Sequence, residues 1–350
     1  MMENHPNAYF LASVLKSNVT RLSHPFKISW AVTYGCNLRC GMCNIWKRPN
    51  DRTELTVDEA GDFFRKAGKF SWVGLTGGEP FLRRDIDAIA DVVVRENRPL
   101  KAVHVNTNGQ LPERVTSFAE GMRARHPRIK TVITVSLDGP PTVHDAIRGR
   151  PGAFDKAAET FKALKAVGGI KAQIGYTVVP ANFGKFREAL EALKEVYPDL
   201  RPDDVNVNVF QTSGVYYDNM EMMAPSREEL AREVESILEA DRGGFSLNNR
   251  LRRTYLRFYG DFLKTGRAPL TCQAFSASLF MDPYGDIYPC IMYDRRFGNA
   301  KDLEGSLEEA WVTPLGQDIR SECEEGRCPA CWTPCDAFSA IAGSLARSIF

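Results

Sequence analysis

Between residues 26 and 210 the chain alternates short apolar runs with longer stretches of helical spacing, and this rhythm narrows the fold more than any other feature. The runs 27–32, 72–75, 102–106, 132–136, 172–178 and 205–210 read as strands. Between them, Ile86, Ile89, Val92 and Val93 share one helical face, and Phe186, Leu190 and Leu193 share another. Thr56 and Glu59 have the spacing of a capping box that opens a helix towards Ala67. Repeated strand–helix units predict a parallel sheet with helices outside it. The expected α/β architecture is a partial (β/α)6 TIM-like barrel with function at the C-terminal strand ends.

Alternation within the strands sharpens that expectation. His104 and Asn106 share one face of the third strand, and Thr134 and Ser136 share one face of the fourth. Gln173, Gly175 and Thr177 lie together in the fifth, and Asn206 and Asn208 in the sixth. The intervening valines suit packing against helices, so the polar faces should point inward. Closed eight-stranded barrels fill their interiors with branched apolar side chains. A polar interior therefore predicts a wider, incomplete barrel that holds a ligand, with a water-bearing polar core as the alternative.

Forty-five Lys plus Arg against forty-four Asp plus Glu leave a formal charge of +1, which excludes attachment to nucleic acid or anionic membrane by bulk charge. No run approaches the ~18 apolar residues of a membrane span, and Glu3, Asn4 and His5 lead into no secretory h-region. A reducing cytoplasm is expected, where nine cysteines are better explained by metal than by disulfides. They fall into two groups: Cys36, Cys40 and Cys43 near the front, and six more from Cys272 to Cys335.

The front group follows the first strand directly, at spacings of four and three. Structural zinc would need a fourth protein ligand, whereas three thiolates suit a four-iron cluster with one iron open to a small chelating molecule. Zinc with a distant fourth ligand is the alternative. This CxxxCxxC, with Thr76-Gly77-Gly78-Glu79-Pro80 at the end of the next strand, resembles the signature and GGEP segment of the radical S-adenosylmethionine (SAM) enzymes. Asn106-Thr107-Asn108-Gly109 and Ser136-Leu137-Asp138-Gly139 resemble the "TNG" and "SLDG" segments of the branch containing molybdenum-cofactor synthase A and sulfatase-maturing enzymes.

The resemblance implies a [4Fe-4S] cluster on Cys36, Cys40 and Cys43 that donates an electron to SAM. That step releases methionine and a 5′-deoxyadenosyl radical, which abstracts hydrogen from substrate. It further implies that Gly77, Gly78, Glu79 and Pro80 hold the methionyl ammonium, and that Ser136 and Thr107 contact the SAM carboxylate with Arg148 as a further partner. Met42, Asn108 and the backbone near Gln211 complete the implied cofactor contacts. Simple turn or helix capping is the alternative for Asn108 and Asp138.

The rear group combines Cys272, Gly285-x4-Cys290 and Cys323-x4-Cys328-x2-Cys331-x3-Cys335. It resembles the auxiliary-cluster extensions called SPASM and twitch domains, though six cysteines fall short of the full seven-cysteine pattern. One auxiliary [4Fe-4S] cluster on Cys272 and Cys290 plus two of Cys328, Cys331 and Cys335 is expected, with Cys323 the remaining candidate. A second, partly ligated cluster and zinc are the alternatives. The auxiliary group could accept an electron, bind substrate or brace the fold, and a spare cysteine facing the cavity could move a proton.

The expected organisation is an N-terminal extension (1–25), the radical SAM barrel (26–222), a helical linker (223–265) and a small C-terminal iron–sulfur domain (266–350). Ser226 and Glu229 form a second capping box, and Asp282-Pro283-Tyr284-Gly285 signals a hairpin. Arg250, Arg252, Arg253 and Arg257 are expected on a solvated helix face rather than on RNA. The apolar stretches 8–15 and 337–350 should pack on the barrel and its cap. No leader-binding domain is expected before Cys36, with a separate protein as its alternative source, and the ending Ser348-Ile349-Phe350 differs from the Gly-Gly tail of molybdenum-cofactor synthase A. Expected partners are a flavodoxin- or ferredoxin-like electron donor and a peptide or small-molecule substrate, without nucleic acid or stable membrane insertion. The reading from a different class is a non-catalytic iron–sulfur protein that transfers electrons or scaffolds a partner.

Overall fold

The computed structural model describes residues 6–49, 51–241 and 246–347, so the terminal features at 1–5 and 348–350 lie outside the described residues. Six parallel strands form where the alternation places them: β1 (Lys27–Thr33), β2 (Trp72–Gly77), β3 (Ala102–Thr107), β4 (Lys130–Ser136), β5 (Lys171–Val178) and β6 (Val205–Val209). Three further strands extend the same sheet beyond β1: β7 (Ser278–Met281), β8 (Asp286–Tyr288) and β9 (Gly298–Asn299). The order β6-β5-β4-β3-β2-β1-β7-β8-β9 leaves the sheet open, the arrangement of a partial barrel.

The helices are α1 (Pro6–Ser17), α2 (Val57–Ala67), α3 (Ile86–Glu96), α4 (Pro112–Arg125), α5 (Pro141–Arg148), α6 (Ala153–Val167), α7 (Phe186–Val196), α8 (Arg227–Ala240), α9 (Leu247–Thr265), α10 (Leu307–Trp311), α11 (Pro314–Glu324) and α12 (Pro334–Arg347). Both predicted capping boxes form: Thr56 opens α2 and Ser226 opens α8, each exchanging hydrogen bonds with the glutamate three residues on. The core lies between the sheet and the outer helices. Val103, Val105, Ile133, Val135, Val205, Val207 and Val209 are all buried there, in one cluster with Ile89, Phe118, Phe161 and Leu193.

The opposite strand faces are polar and remain partly open. His104, Asn106, Ser136, Thr177, Asn206 and Asn208 are half-buried, and His104 Nε2 lies 2.8 Å from Thr134 Oγ1. Register aligns Ser136 with Gly175 and Gly175 with Asn206, so a residue without a side chain sits between two polar ones. The Thr134 methyl fills that space, since a Cβ on Gly175 would lie 2.9 Å from Thr134 Cγ2.

The Asp282 hairpin forms as expected, because Asp282 Oδ1 accepts from the Tyr284 and Asp286 amides at 2.9 and 2.8 Å and Gly285 takes φ +92°. Its first strand, however, pairs in parallel with β1, in register from Lys27↔Ser278 to Trp30↔Met281. The rear cysteine region therefore grows out of the barrel sheet. The apolar stretches near the ends pack together: Phe10 and Val14 of α1 meet Ala342 of α12 and Phe26.

Arg252 corrects the expectation of a solvated arginine face. It is 2% exposed, pairs with Asp241 Oδ2 at 2.6 Å and donates to the carbonyls of Pro202 and Val205. The reason is the open edge: among the described residues β6 has no strand beyond it, so a buried cation from α9 satisfies its first carbonyl. Arg253 likewise donates to Leu238 O at 3.1 Å, while Arg250 and Arg257 are exposed as expected. Among the described residues, no helix is long and apolar enough to cross a membrane.

Candidate active site

The loop that leaves β1 carries the front cysteines to the C-terminal end of the sheet and is tied down at three points. The Gly41 amide donates to Ile147 O at 2.8 Å, the Asn44 amide donates to Tyr217 O at 2.9 Å, and Asn219 Nδ2 donates to Met42 O at 3.0 Å. Cys40 is buried, and Cys36 and Cys43 are half-buried. Two donors aim at their sulfurs: Asn108 Nδ2 lies 3.9 Å from Cys36 Sγ, and Arg148 Nη1 lies 3.6 Å from Cys40 Sγ. Burial pushes the free thiols of Cys36 and Cys43 up to about 11 and about 12, so metal binding at this loop must release protons. Among the described residues, no three His, Cys, Asp or Glu side chains converge as a single-ion site would require. The donor set, three soft thiols with hydrogen bonds to the sulfurs, fits an iron–sulfur cluster with an open position.

The Gly77-Gly78 turn is shaped by close approach to β1. Gly77 has φ +128°, and a Cβ there would lie 2.0 Å from Thr33 O; a Cβ on Gly78 would lie 2.2 Å from Gly35 O. The Gly78 and Glu79 amides donate to those same carbonyls at 2.9 and 2.8 Å. Tyr216 Oη accepts from the Gly77 amide at 3.2 Å and donates to its carbonyl at 3.1 Å. Among the described residues no hydrogen-bond donor is directed at the Gly78 carbonyl.

Two expected cofactor contacts are committed elsewhere. Glu79 is 1% exposed, and its carboxylate accepts from Thr107 Oγ1 at 2.9 Å, the Asn108 amide at 2.7 Å and the Phe81 amide at 3.2 Å. Burial raises Glu79 to about 7, against the lowering effect of those donors. Thr107 also accepts from the Gly109 amide at 3.1 Å, so both its hydroxyl functions are internal. Glu79 and Thr107 thus join β2 to β3 below the turn, which is why neither faces outward. Pro80 is buried and opens a single 3-10 turn, Pro80–Leu82.

Ser136 ends β4 half-buried on the interior face. Asn108 makes the turn weighed as its alternative, with Oδ1 accepting from the Gln110 amide at 3.0 Å, and its Nδ2 also donates to Asn37 Oδ1 at 2.7 Å. Asp138 is fully buried and caps no helix; it pairs with Arg148 at 2.5 Å and accepts from the Thr177 amide at 2.7 Å. Arg148 is directed at Asp138 and Cys40, where the resemblance expects the SAM carboxylate. Met42 packs with Ile147, Val179 and Phe210. Gln211 spends its carbonyl on Asn219 Nδ2 at 3.0 Å and its side chain on Tyr259 Oη at 3.1 Å, so its expected backbone contact to adenosine lacks the carbonyl.

A small cavity is lined by Cys272, Cys290, Cys323, Cys328 and Cys331 together with Asp336. Cys323, the least favoured candidate in the sequence, thus stands among the cavity thiols beside Cys328. Cys335 does not line this cavity. It packs instead in an apolar cluster with Tyr216, Tyr217 and Phe280, which also touches Cys36 and Cys43. Tyr216 and Tyr217 come from a strap after β6 that crosses to β1 and β2, and no periodicity marks them. Asp336, which accepts from Ser278 Oγ, was equally hidden within a helical pattern.

Comparison with known proteins agrees with this geometry. Residues 30–193 match the radical SAM superfamily, and residues 272–336 match SPASM, an iron–sulfur cluster-binding domain. The mycofactocin maturase MftC of Mycolicibacterium smegmatis is 25% identical over 324 residues, covering 89% of this chain and 76% of its own. Streptococcus suis SuiB bound to precursor peptide SuiA superposes with a TM-score of 0.61 at 20% identity, covering 90% of this chain and 71% of that one. Native anSMEcpe with bound AdoMet and Cp18Cys peptide gives a TM-score of 0.57 at 18% identity over 93% and 98%. A half-open parallel sheet, a three-thiol loop after its first strand and a second thiol centre grown from the same sheet make this chain a radical SAM enzyme with a SPASM-type auxiliary iron–sulfur domain.

Proposed function

We propose that Cys36, Cys40 and Cys43 hold the SAM-binding [4Fe-4S] cluster, that the Gly78 carbonyl receives the methionyl ammonium, and that Ser136 receives the carboxylate. One observation carries this reading: three thiols share one loop, with amide and guanidinium donors aimed at two of the sulfurs, beside an acceptor left over in the Gly77-Gly78 turn. Bound there and reduced, the cluster supplies the electron that splits SAM into methionine and a 5′-deoxyadenosyl radical, which takes hydrogen from substrate. The residues of this chain position and enclose. The strap from Gln211 to Glu221 fastens the cysteine loop through Asn219 and Tyr217, and Tyr216 fixes the Gly77 peptide. Tyr34, Ile45, Val215, Phe280 and Met292 pack an apolar wall beside the cysteine loop, which keeps water from the front group.

The auxiliary cluster would draw its ligands from Cys272, Cys290, Cys323, Cys328 and Cys331, with Cys335 outside that set. The substrate is a peptide. The half-buried interior side chains Asn106, Ser136, Thr177, Asn206 and Asn208 are neutral and offer both donors and acceptors, as peptide groups require. Two structural neighbours are described with bound peptides, which supports the same substrate class. A flavodoxin- or ferredoxin-like protein would supply electrons, in a cytoplasm reducing enough to keep the nine free cysteines available.

The cluster assignment predicts that anaerobically reconstituted, dithionite-reduced protein forms 5′-deoxyadenosine and methionine, and that Cys40→Ala does not. For the substrate, the enzyme is incubated with SAM and an extract from cells grown on deuterated amino acids. Deuterium should enter 5′-deoxyadenosine and be lost when the extract is first treated with protease. Labelling that survives protease treatment would show a small metabolite instead.

A further inference from the structure

We propose that Arg148 is a positioning residue for the electron at the front centre: its guanidinium, oriented by buried Asp138, donates to the Cys40 sulfur and makes the cluster easier to reduce. This rests on the assignment of Cys36, Cys40 and Cys43 as ligands.

The geometry begins with α5, which ends against the cysteine loop. Gly149 takes φ +66° at its C-terminal cap, and a Cβ there would lie 2.6 Å from Arg39 O, so the helix end approaches this closely because the residue is glycine. The Ile147 carbonyl accepts from the Gly41 amide at 2.8 Å and fixes the helix end to the loop. Arg148 is thereby seated beside Cys40, with Nη1 3.6 Å from Sγ. Its other terminal nitrogen pairs with Asp138 Oδ2 at 2.5 Å.

Asp138 is itself held from two sides. Its Oδ1 accepts from the Thr177 amide at 2.7 Å, and its own amide donates to His144 Nδ1 at 2.9 Å. Asp138 and His144 are fully buried and Arg148 is 8% exposed, so the fork has little freedom to turn away. A rigid guanidinium can bridge a carboxylate and a sulfur at once, which a lysine ammonium does less well. Among the described residues, Nε of Arg148 is buried without a hydrogen-bond partner, so one donor of the fork is uncommitted.

The consequence is electrostatic. Reduction adds negative charge to the cluster and its thiolates, and cluster potentials are set by net charge and by hydrogen bonds to sulfur. A cationic donor fixed on one ligand sulfur stabilises the reduced form more than the oxidised form. Asp138 compensates part of that charge, yet the guanidinium nitrogen is the group nearest the sulfur. The resemblance alone would assign Arg148 to the SAM carboxylate, a role that leaves the SAM-free cluster untouched.

The test is an EPR-monitored redox titration of the holoprotein without SAM, with Cys40→Ala as the reference that isolates the front-cluster signal. At the wild-type midpoint, Arg148→Gln should lower the ratio of reduced to oxidised front cluster at least tenfold at equal iron content, which is 59 mV for a one-electron couple. Arg148→Lys, which keeps the charge but not the fork, should lower it about threefold; this variant decides the matter if Arg148→Gln fails to assemble its cluster. An Arg148→Gln protein with full iron and an unchanged midpoint overturns the proposal, as does an Arg148→Lys protein that reduces like wild type. Weaker SAM binding in Arg148→Gln with an unchanged SAM-free midpoint would return Arg148 to the carboxylate. A Cys40→Ala protein that keeps the front signal would instead refute the ligand assignment.

Discussion

Replacing Gly77 by alanine tests how the turn at the end of β2 is built. The new Cβ would lie 2.0 Å from Thr33 O, so the two backbones must part by more than an ångström to reach ordinary contact. The hydrogen bonds that hold them are Gly78 N–H to Thr33 O at 2.9 Å and Glu79 N–H to Gly35 O at 2.8 Å. Losing both costs about 2 kcal/mol, and forcing a side chain to φ +128° costs a further ~1–3 kcal/mol. The expected destabilisation is about 3–5 kcal/mol. The same displacement moves the Gly78 carbonyl, so SAM affinity should fall at least tenfold, about 1.4 kcal/mol. Thermal unfolding and equilibrium SAM binding on anaerobic holoprotein measure the two effects. Gly260 in α9 is the control, because nothing lies within 4 Å of its Cβ position and a helical Gly→Ala change gains about 0.5–1 kcal/mol. A Gly77→Ala protein with wild-type Tm and SAM affinity, or a Gly260→Ala protein equally destabilised, would refute the steric reasoning.

Two further outcomes follow from the geometry. Cys323→Ala should lose the iron of the auxiliary cluster while Cys335→Ala keeps it, because Cys323 lines the rear cavity and Cys335 does not; metal analysis with Mössbauer spectroscopy decides, and the reverse pattern contradicts the cavity assignment. Burial holds Glu79 at about 7 against its ordinary 4.5, so its contribution to stability is full below pH 4.5 and fades as pH rises to 7, by up to about 3 kcal/mol. Chemical denaturation should therefore show wild type losing stability relative to Glu79→Gln across the upper half of that window, and a growing wild-type advantage there would contradict the burial reading.

The barrel strands were legible because their information is local. Alternation placed β3 through β6 with the correct face inward, and the capping residues Thr56 and Ser226 marked helix starts without any tertiary help. The reading of β2 stopped at residue 75, while the strand runs to Gly77 because Thr76 and Gly77 continue the ladder against Ala31 and Thr33 across a register shift. The cysteine groups were equally plain, since thiol spacing along one loop is a sequence property. Side-chain direction at strand ends was not. Nothing in Gly-Gly-Glu-Pro states whether the carboxylate faces the ligand or the next strand, and Glu79 turns inward because Thr107 and the Asn108 amide wait there. Arg252 failed for a related reason: helical periodicity cannot register an unpaired strand edge more than forty residues upstream.

The most consequential feature outside the reach of local pattern is the parallel pairing of β7 with β1. β1 delivers Cys36, Cys40 and Cys43, while β7 opens the hairpin that delivers Cys290, and Trp30 stands opposite Met281 in the ladder. Two cysteine centres more than two hundred residues apart in sequence therefore issue from neighbouring strands of one sheet. The strap after β6 packs Tyr216 and Tyr217 beside both centres, in an apolar cluster that touches Cys36 and Cys43 as well as Cys290, Cys331 and Cys335. A boundary at residue 266 separates the centres on paper, yet it cuts a ladder whose barrel side includes Ile28 and Trp30, both fully buried. Stripping β7 away would expose that edge of β1 together with the loop that follows it. The loops that carry the two cysteine groups are thus fixed by one shared ladder and one shared apolar cluster.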